Sequence, residues 1–247
     1  KIVMKIVVIG ESCTDRFIYG KVNRLSPEAP IPIFNPLNTV INGGMSANVV
    51  SNLKSLQSKA NIVHLAPPNN ITKTRYVEEK SNYMFIRIDE GEDNIEPFKW
   101  SLFIDQILGQ ADMVIVSDYD KGYLSDLDLE EIAKKSSLSF LDSKRRLNSN
   151  IVDKFTWIKF NESEANNNPD LDYSKIIVTL GSKGAKINGV IFESPLPQET
   201  IDVSGAGDTF IASFALNYFK TKDNNSAVKY ANIMASKVVS KKGVAIP

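Results

Sequence analysis

An α/β fold, with a mainly parallel central sheet flanked by helices and a small β-lid outside it, is predicted by three features of the sequence. Short apolar runs alternate with segments of helical period, as expected of strands returned to one sheet through helices. The chain has 247 residues, 43% of them hydrophobic, enough to bury a full core as one domain over 1–247. Two further stretches, near 16–40 and 75–89, carry strand patterns of their own and suit a lid laid over that core.

Taken in order, Val3–Ile9 is a short apolar run and the first sheet strand. Phe17–Lys21 and Ile31–Phe34 are short strand patterns on either side of the turn Leu25-Ser26-Pro27-Glu28-Ala29-Pro30. Ser46–Leu56 has helical period and Asn61–Leu65 is again an apolar run. Arg75–Glu79 and Tyr83–Asp89 pair as a hairpin, the second arm alternating Tyr83, Phe85 and Arg87. Helices over Trp100–Leu108 and Leu127–Lys135 then alternate with strands over Met113–Ser117, Leu138–Asp142, Thr156–Phe160 and Lys175–Leu180. Ala185–Phe192 is a hairpin, because Asn188-Gly189 supplies the positive φ angles of a tight turn. Phe210, Phe214 and Tyr218, with Ile211, Ala215 and Phe219, recur at helical spacing and mark a buried helix. A last helix spans Ser226–Ser240, where Ala231, Ala235 and Ser236 allow close packing. There is no internal repeat, low-complexity tract or long linker.

Bulk properties exclude several classes. Net charge is zero and no block of like charge stands out, which argues against nucleic acid as a partner. Acidic small substrates stay open, since a pocket needs only a few local cations. No run approaches about 18 apolar residues, so no membrane span is expected, and the Lys1–Ile9 start reads as a strand rather than a signal peptide. A single cysteine, Cys13, precludes an internal disulfide framework and fits a cytoplasmic location. His64, the one histidine, lies in the apolar run Ile62-Val63-His64-Leu65 and reads as a packed strand residue. No Ser-His-Asp arrangement or Cys/His metal spacing is present.

The chemistry concentrates in Asp202-Val203-Ser204-Gly205-Ala206-Gly207-Asp208-Thr209-Phe210. Gly205, Ala206 and Gly207 fall at the start of the buried helix, where unpaired N–H groups and the helix dipole favour an anion. A phosphoryl group in transfer gathers charge on oxygen and needs such a place. Asp208, in the first turn, is placed to take a proton from an attacking hydroxyl. Small residues before an acid at a helix start also serve simply to cap and turn. No G-x-x-x-x-G-K-[ST] is present, so this is not a P-loop, and the third glycine of a dinucleotide fingerprint is missing.

Several stretches, in order along the chain, resemble the ribokinase-like carbohydrate kinase family. Gly205-Ala206-Gly207-Asp208 looks like its signature, and Asn42-Gly43-Gly44-Met45-Ser46-Ala47-Asn48-Val49 its first glycine motif. Ile9-Gly10-Glu11-Ser12-Cys13-Thr14-Asp15-Arg16 and Arg24-Leu25-Ser26-Pro27-Glu28-Ala29-Pro30-Ile31-Pro32 resemble one branch: heptose-7-phosphate kinases and the kinase half of the bifunctional heptose kinase/adenylyltransferase. Ser117-Asp118-Tyr119-Asp120-Lys121-Gly122, Leu141-Asp142-Ser143-Lys144 and Asn161-Glu162-Ser163-Glu164 fit the same branch.

The resemblance implies ATP and Mg²⁺ as cofactors, leaves room for a monovalent cation, and implies a sugar or sugar-phosphate substrate and a homodimer formed through the β-lid. By position, Asp208 is the general base and Gly205, Ala206 and Gly207 the anion hole. Asp15, Gly43, Gly44 and Asn48 fall to the sugar, although turn glycines and a strand-end acid can be purely structural. Asn161 and Glu164 match an N-x-x-E element associated with hydrated magnesium; alone, the pattern is also a helix cap. Thr179 and Gly181, with Gly184 beyond, resemble the nucleotide-binding edge, and Asn232 a position near the adenine. Arg87 and Lys144 are candidate partners for a phosphate already on the substrate, though surface cations are usually solvated.

The sequence also departs from the family. Only Ser51–Thr74 fills a gap where an extra strand–helix–strand region is usual, and the polar Ala165–Ser174 stands in place of a helix. Ser204 replaces threonine, and Glu11 and Met45 replace smaller or shorter residues near the sugar site. No adenylyltransferase half is expected within these residues. The reading is therefore phosphorylation of a heptose 7-phosphate at its anomeric hydroxyl, with a kinase for another sugar or nucleoside, or a silent sugar-phosphate binder, as alternatives.

Overall fold

A computed structural model describes residues 3–68, 71–195, 204–240 and 246–247. Asp202 and Val203 of the signature stretch, and Lys1 and Ile2 ahead of the first strand pattern, lie outside them. The strands are β1 (Lys5–Gly10), β2 (Ser12–Leu25), β3 (Pro32–Met45), β4 (Asn61–Leu65), β5 (Ile71–Glu78), β6 (Met84–Glu90), β7 (Met113–Asp118), β8 (Ser139–Ser143), β9 (Trp157–Asn161), β10 (Ile176–Thr179), β11 (Ala185–Ile187) and β12 (Val190–Phe192). The helices are α1 (Ser46–Leu56), α2 (Leu102–Gly109), α3 (Asp126–Lys135), α4 (Ser149–Lys154), α5 (Glu162–Asn166), α6 (Ala206–Thr221) and α7 (Asn224–Val239).

Among the described residues, eight strands form one sheet in the order β12-β11-β10-β9-β8-β7-β1-β4. Its strands pair in parallel except at the β10-β11-β12 edge, where Asn188 and Gly189 take the predicted positive φ angles of 49° and 79°. Because successive strand residues face opposite sides, the sheet feeds two cores. Ile6, Val8, Met113 and Ile115 pack with α1, α6 and α7. Val7, Ile9, Val114 and Val116 pack on the other face with α2, α3 and α4. The spacing of aromatic residues in α6 serves this packing: Phe210, Phe214 and Tyr218 stack in sequence, and Trp157 of β9 meets Phe214 and Tyr218 edge-on at 5.8 and 5.9 Å.

A second sheet, ordered β3-β2-β5-β6, forms the lid. It is larger than the sequence predicts, since β2 and β3 run 14 residues each in place of two short strands. The buried alternate positions of β2 are Cys13, Asp15 and Phe17, so an acid interrupts the apolar period, while most of β3 is exposed. Both lid strands run into the core at the same place. Met45, with φ 58°, turns directly from β3 into α1, and β2 pairs with β3 from Ser12↔Met45 outward. The hinge end of the lid therefore lies beside the first turn of α1. No described helix is long and apolar enough to cross a membrane.

Candidate active site

Asp208 lies in the first turn of α6 and is 6% exposed. Gly205, the residue before the helix, has φ 80°, a left-handed conformation suited to glycine, and no side chain caps the first turn. The N–H groups of such an uncapped first turn are where an anion can be received. They open into a cleft of about 790 Å³, of the size that holds a small-molecule ligand.

Two neutral groups hold the Asp208 carboxylate. Asn48 Nδ2 donates to Oδ2 at 2.8 Å, and the Tyr119 hydroxyl donates to Oδ1 at 3.3 Å. Burial first, and then the nearby charge of Asp142, push the Asp208 carboxyl up to about 6, against the pull of Asn48, Lys159 and Lys144. The same burial, with Asp208 and Asp142 alongside, raises the Tyr119 phenol well above its ordinary value, so it stays a donor.

Other buried carboxylates around the site are compensated. Asp142 pairs with Lys159, Glu164 with Lys144, and Asp15 with Arg75. Glu11, fully buried, accepts from the backbone N–H groups of Tyr119 (2.9 Å), Lys121 (3.0 Å) and Tyr123 (3.3 Å). It thereby pins the loop that presents the Tyr119 hydroxyl to Asp208. With Asp208 held by neutral donors in a water-poor niche, its carboxylate is suited to taking a proton near neutral pH.

Most sequence-derived candidates meet in this cleft. Gly205, Ala206, Gly207 and Asp208 line it together with Lys144, Asn161, Thr179, Gly181, Gly184 and Asn232. Thr179 ends β10, and Gly181 and Gly184 bracket the turn beyond it. Gly184 has φ 96°, and a Cβ there would meet the Phe192 carbonyl at 2.1 Å. Asn232 of α7 donates to that same carbonyl at 2.8 Å, tying the last helix to the sheet edge at the cleft wall.

Asn161 and Glu164 form a reciprocal cap on α5: Asn161 Oδ1 accepts from the Glu164 N–H, and Glu164 accepts from the Asn161 N–H. Glu164 also accepts from Asn161 Nδ2 and from Lys144. No three described acid, histidine or cysteine side chains cluster to hold a metal directly. Asn161 lines the cleft, whereas Glu164 is 5% exposed with both oxygens already accepting hydrogen bonds, so what fits a hydrated magnesium ion here is contact of Asn161 with its water shell.

Asp15, Gly43, Gly44 and Arg87 sit outside the cleft. Asp15 of β2 is 6% exposed and takes a hydrogen bond from Arg75 across the lid. A Cβ on Gly44 would lie 2.1 Å from Asp15 Oδ2 and 2.5 Å from Cys13 Sγ, and one on Gly43 would meet Ala47 at 2.8 Å. The missing side chains therefore make room first for Asp15 and α1. Arg87 projects from β6 on the lid, half-exposed and paired with Asp89. Lys144 faces the cleft, beside Glu164 and over the Tyr119 ring.

Sequence reasoning gave no role to Tyr119, Asp142, Arg75 or Lys159. Tyr119 and Asp142 lie inside the stretches that carry the resemblance. The signal for Lys159 was a lysine inside the apolar strand run Trp157-Ile158-Lys159-Phe160.

Residues 61–247 match the model described as pfkB family carbohydrate kinase. Among curated proteins, the chain is 28% identical over 297 residues to the bifunctional protein HldE of Nitratiruptor sp., an alignment covering 98% of this chain and 62% of that one. It is 29% identical over 300 residues to the bifunctional protein HldE of Helicobacter pylori strain J99, covering 98% and 64%. The chain thus spans about three-fifths of the length of these relatives. In fold it is similar to Arabidopsis thaliana ribokinase complexed with ribose and ATP (TM-score 0.70, 15% identity, 98% of this chain and 94% of that one). It is likewise similar to Thermotoga maritima ribokinase (TM-score 0.72, 17% identity, 98% and 94%).

Proposed function

The chain belongs to the pfkB family of carbohydrate kinases, and on that premise we propose that it transfers the terminal phosphoryl group of Mg-ATP to the anomeric hydroxyl of a heptose 7-phosphate. The observation that carries the reading is Asp208 itself: a buried carboxylate held by neutral donors, beside an uncapped helix start, in one large cleft. The acceptor hydroxyl lies against Asp208, which takes its proton as the oxygen attacks in line. The N–H groups of Gly205, Ala206 and Gly207 receive the oxygens of the migrating group, whose negative charge they offset. The nucleotide occupies the arm of the cleft walled by Thr179, Gly181, Gly184 and Asn232, where Asn161, oriented by its reciprocal hydrogen bonds with Glu164, would hold water of a magnesium ion. Magnesium bound there would supply neutralisation of phosphate charge. The sugar is assigned to the lid side of Asp208, where Asn48 holds the carboxylate and Asp15, Gly43 and Gly44 stand at the hinge of the lid, outside the cleft itself.

The heptose assignment rests on the motif resemblance and on the HldE relatives. One observation favours a second acceptor: both cations considered for the substrate's own phosphate already have carboxylate partners, Arg87 with Asp89 and Lys144 with Glu164. A sugar or nucleoside without a phosphate is the second reading. Phosphorus NMR of products from a panel of heptose 7-phosphate, neutral sugars and nucleosides separates the two. A 1,7-bisphosphate supports the first, and a product only from unphosphorylated acceptors replaces it with the second.

A homodimer through the lid completes the proposal. Exposed Ile41 on β3 and Ile86 and Ile88 on β6 supply apolar surface for it. A monomeric mass at working concentration would count against it.

A further inference from the structure

Lys159 is a charged side chain that the mechanism above does not use, yet it lies at the centre of the site. It sits mid-strand in β9 and is 3% exposed. Its ammonium donates to both oxygens of Asp142, at 2.9 and 2.8 Å, and Asp142 is itself 5% exposed. On the side of α6, a Cβ placed on Gly207 would come within 3.1 Å of Nζ. Lys159, Asp142, Gly207 and Asp208 all line the same cleft. A buried ion pair gives little net stability over apolar packing of the same volume. Packing alone therefore supplies no reason for a lysine in the run Trp157-Ile158-Lys159-Phe160.

Its position supplies one. Resting on the kinase reading, we infer that Lys159 is a positioning residue of the phosphoryl-transfer centre. Its fixed ammonium cancels the charge of Asp142, leaving Asp208 the uncompensated carboxylate, and sets positive charge behind the N–H groups that receive the phosphoryl group. The groups facing Asp208 are Asn48 from α1, Tyr119 from the loop after β7, Asp142 and Lys144 from β8 and its end, Lys159 from β9, and Cys13 from β2. Of these, Asp142 opposes ionisation of Asp208 most strongly after burial, and Lys159 favours it.

Two variants test the inference: Lys159→Met, and Asp142→Asn combined with Lys159→Met, which removes the pair together and strands no buried charge. Both should lose on the order of tenfold to a hundredfold in kcat on the pH plateau, as expected when charge stabilisation is withdrawn from a transition state. The acid limb of kcat/KM should move up by about one pH unit in the single variant and below wild type in the double variant. The carboxyl carbon resonance of Asp208 in ligand-free protein, assigned with Asp208→Asn, should show the same two opposite shifts without any substrate. If the single variant does not fold, the double variant decides. A folded double variant that keeps wild-type plateau kcat and an unmoved Asp208 midpoint, beside an active wild type, overturns the inference alone. A wild type without acceptor-dependent turnover overturns the kinase reading and this inference together.

Discussion

Replacing Asp208 with asparagine should disable the enzyme and stabilise the fold at the same time. Burial and Asp142 lift the Asp208 carboxyl from an ordinary 3.8 to about 6. At ~1.36 kcal/mol per unit, the ionised form therefore destabilises the folded state by about 3 kcal/mol above pH 6. The direction follows from the raised value. Protonated Asp208 favours the folded state fully below about pH 3.8, and that contribution is lost as pH rises through about 6. An amide carries no charge to bury, but its nitrogen must face either the Asn48 or the Tyr119 donor, at a cost of about 1 kcal/mol. The net gain near pH 8 is then about 2 kcal/mol, or roughly 4–8 °C in Tm for a chain of this size. Near pH 4 the gain should vanish. Loss of the base should lower kcat on the order of 10²–10⁴-fold. Thermal melts of both proteins near pH 8 and near pH 4, with ADP release measured alongside, check each part. A variant destabilised near pH 8, or one with near-normal turnover, would refute the reasoning.

Further predictions concern the groups around Asp208. The acid limb of wild-type kcat/KM should have its midpoint near pH 6, because only ionised Asp208 can accept the proton; a limb near the ordinary carboxylate value would contradict this. Glu11→Gln leaves at least one of three backbone donors facing an amide N–H, and should destabilise by roughly 2–3 kcal/mol. Faster hydrogen exchange at the Tyr119, Lys121 and Tyr123 amides is the diagnostic readout, and unchanged exchange would count against it. Gly44→Ala drives a methyl into Asp15 and Cys13, and should raise the acceptor KM more than the ATP KM; equal effects would place Asp15 away from the acceptor.

The sequence makes the central sheet largely legible because its middle strands β1, β7 and β8 are buried on both faces and its strands read as short apolar runs. Val3–Ile9, Asn61–Leu65 and Met113–Ser117 read as apolar runs and fall within about two residues of the observed strands. The tight turn at Asn188-Gly189 and the aromatic stripe of α6 were visible for equally local reasons. The lid was only half legible: its outer strands β3 and β6 are largely exposed, and β2 carries buried Asp15 where an apolar residue would have kept the period. At the site, the backbone motifs were readable only together: a glycine-rich helix start alone also caps and turns, but several stretches in order along the chain carried the same resemblance. The partners of Asp208 were not, because Tyr119, Asn48, Asp142 and Lys159 come from four separate elements that only the fold brings together. Glu11 looked like an intrusion on the sugar pocket, and its role as acceptor for a distant loop depends on contacts more than 100 residues away in sequence.

The central claim, phosphoryl transfer from Mg-ATP to a sugar hydroxyl, is tested most directly by acceptor-dependent ADP release. The wild-type protein, incubated with Mg-ATP and heptose 7-phosphate, should release ADP in proportion to the acceptor consumed, and the Asp208→Asn protein should not. No ADP release above the acceptor-free background with any sugar, sugar phosphate or nucleoside, from a protein that still binds sugar phosphate, would contradict the account and leave a silent binder in its place.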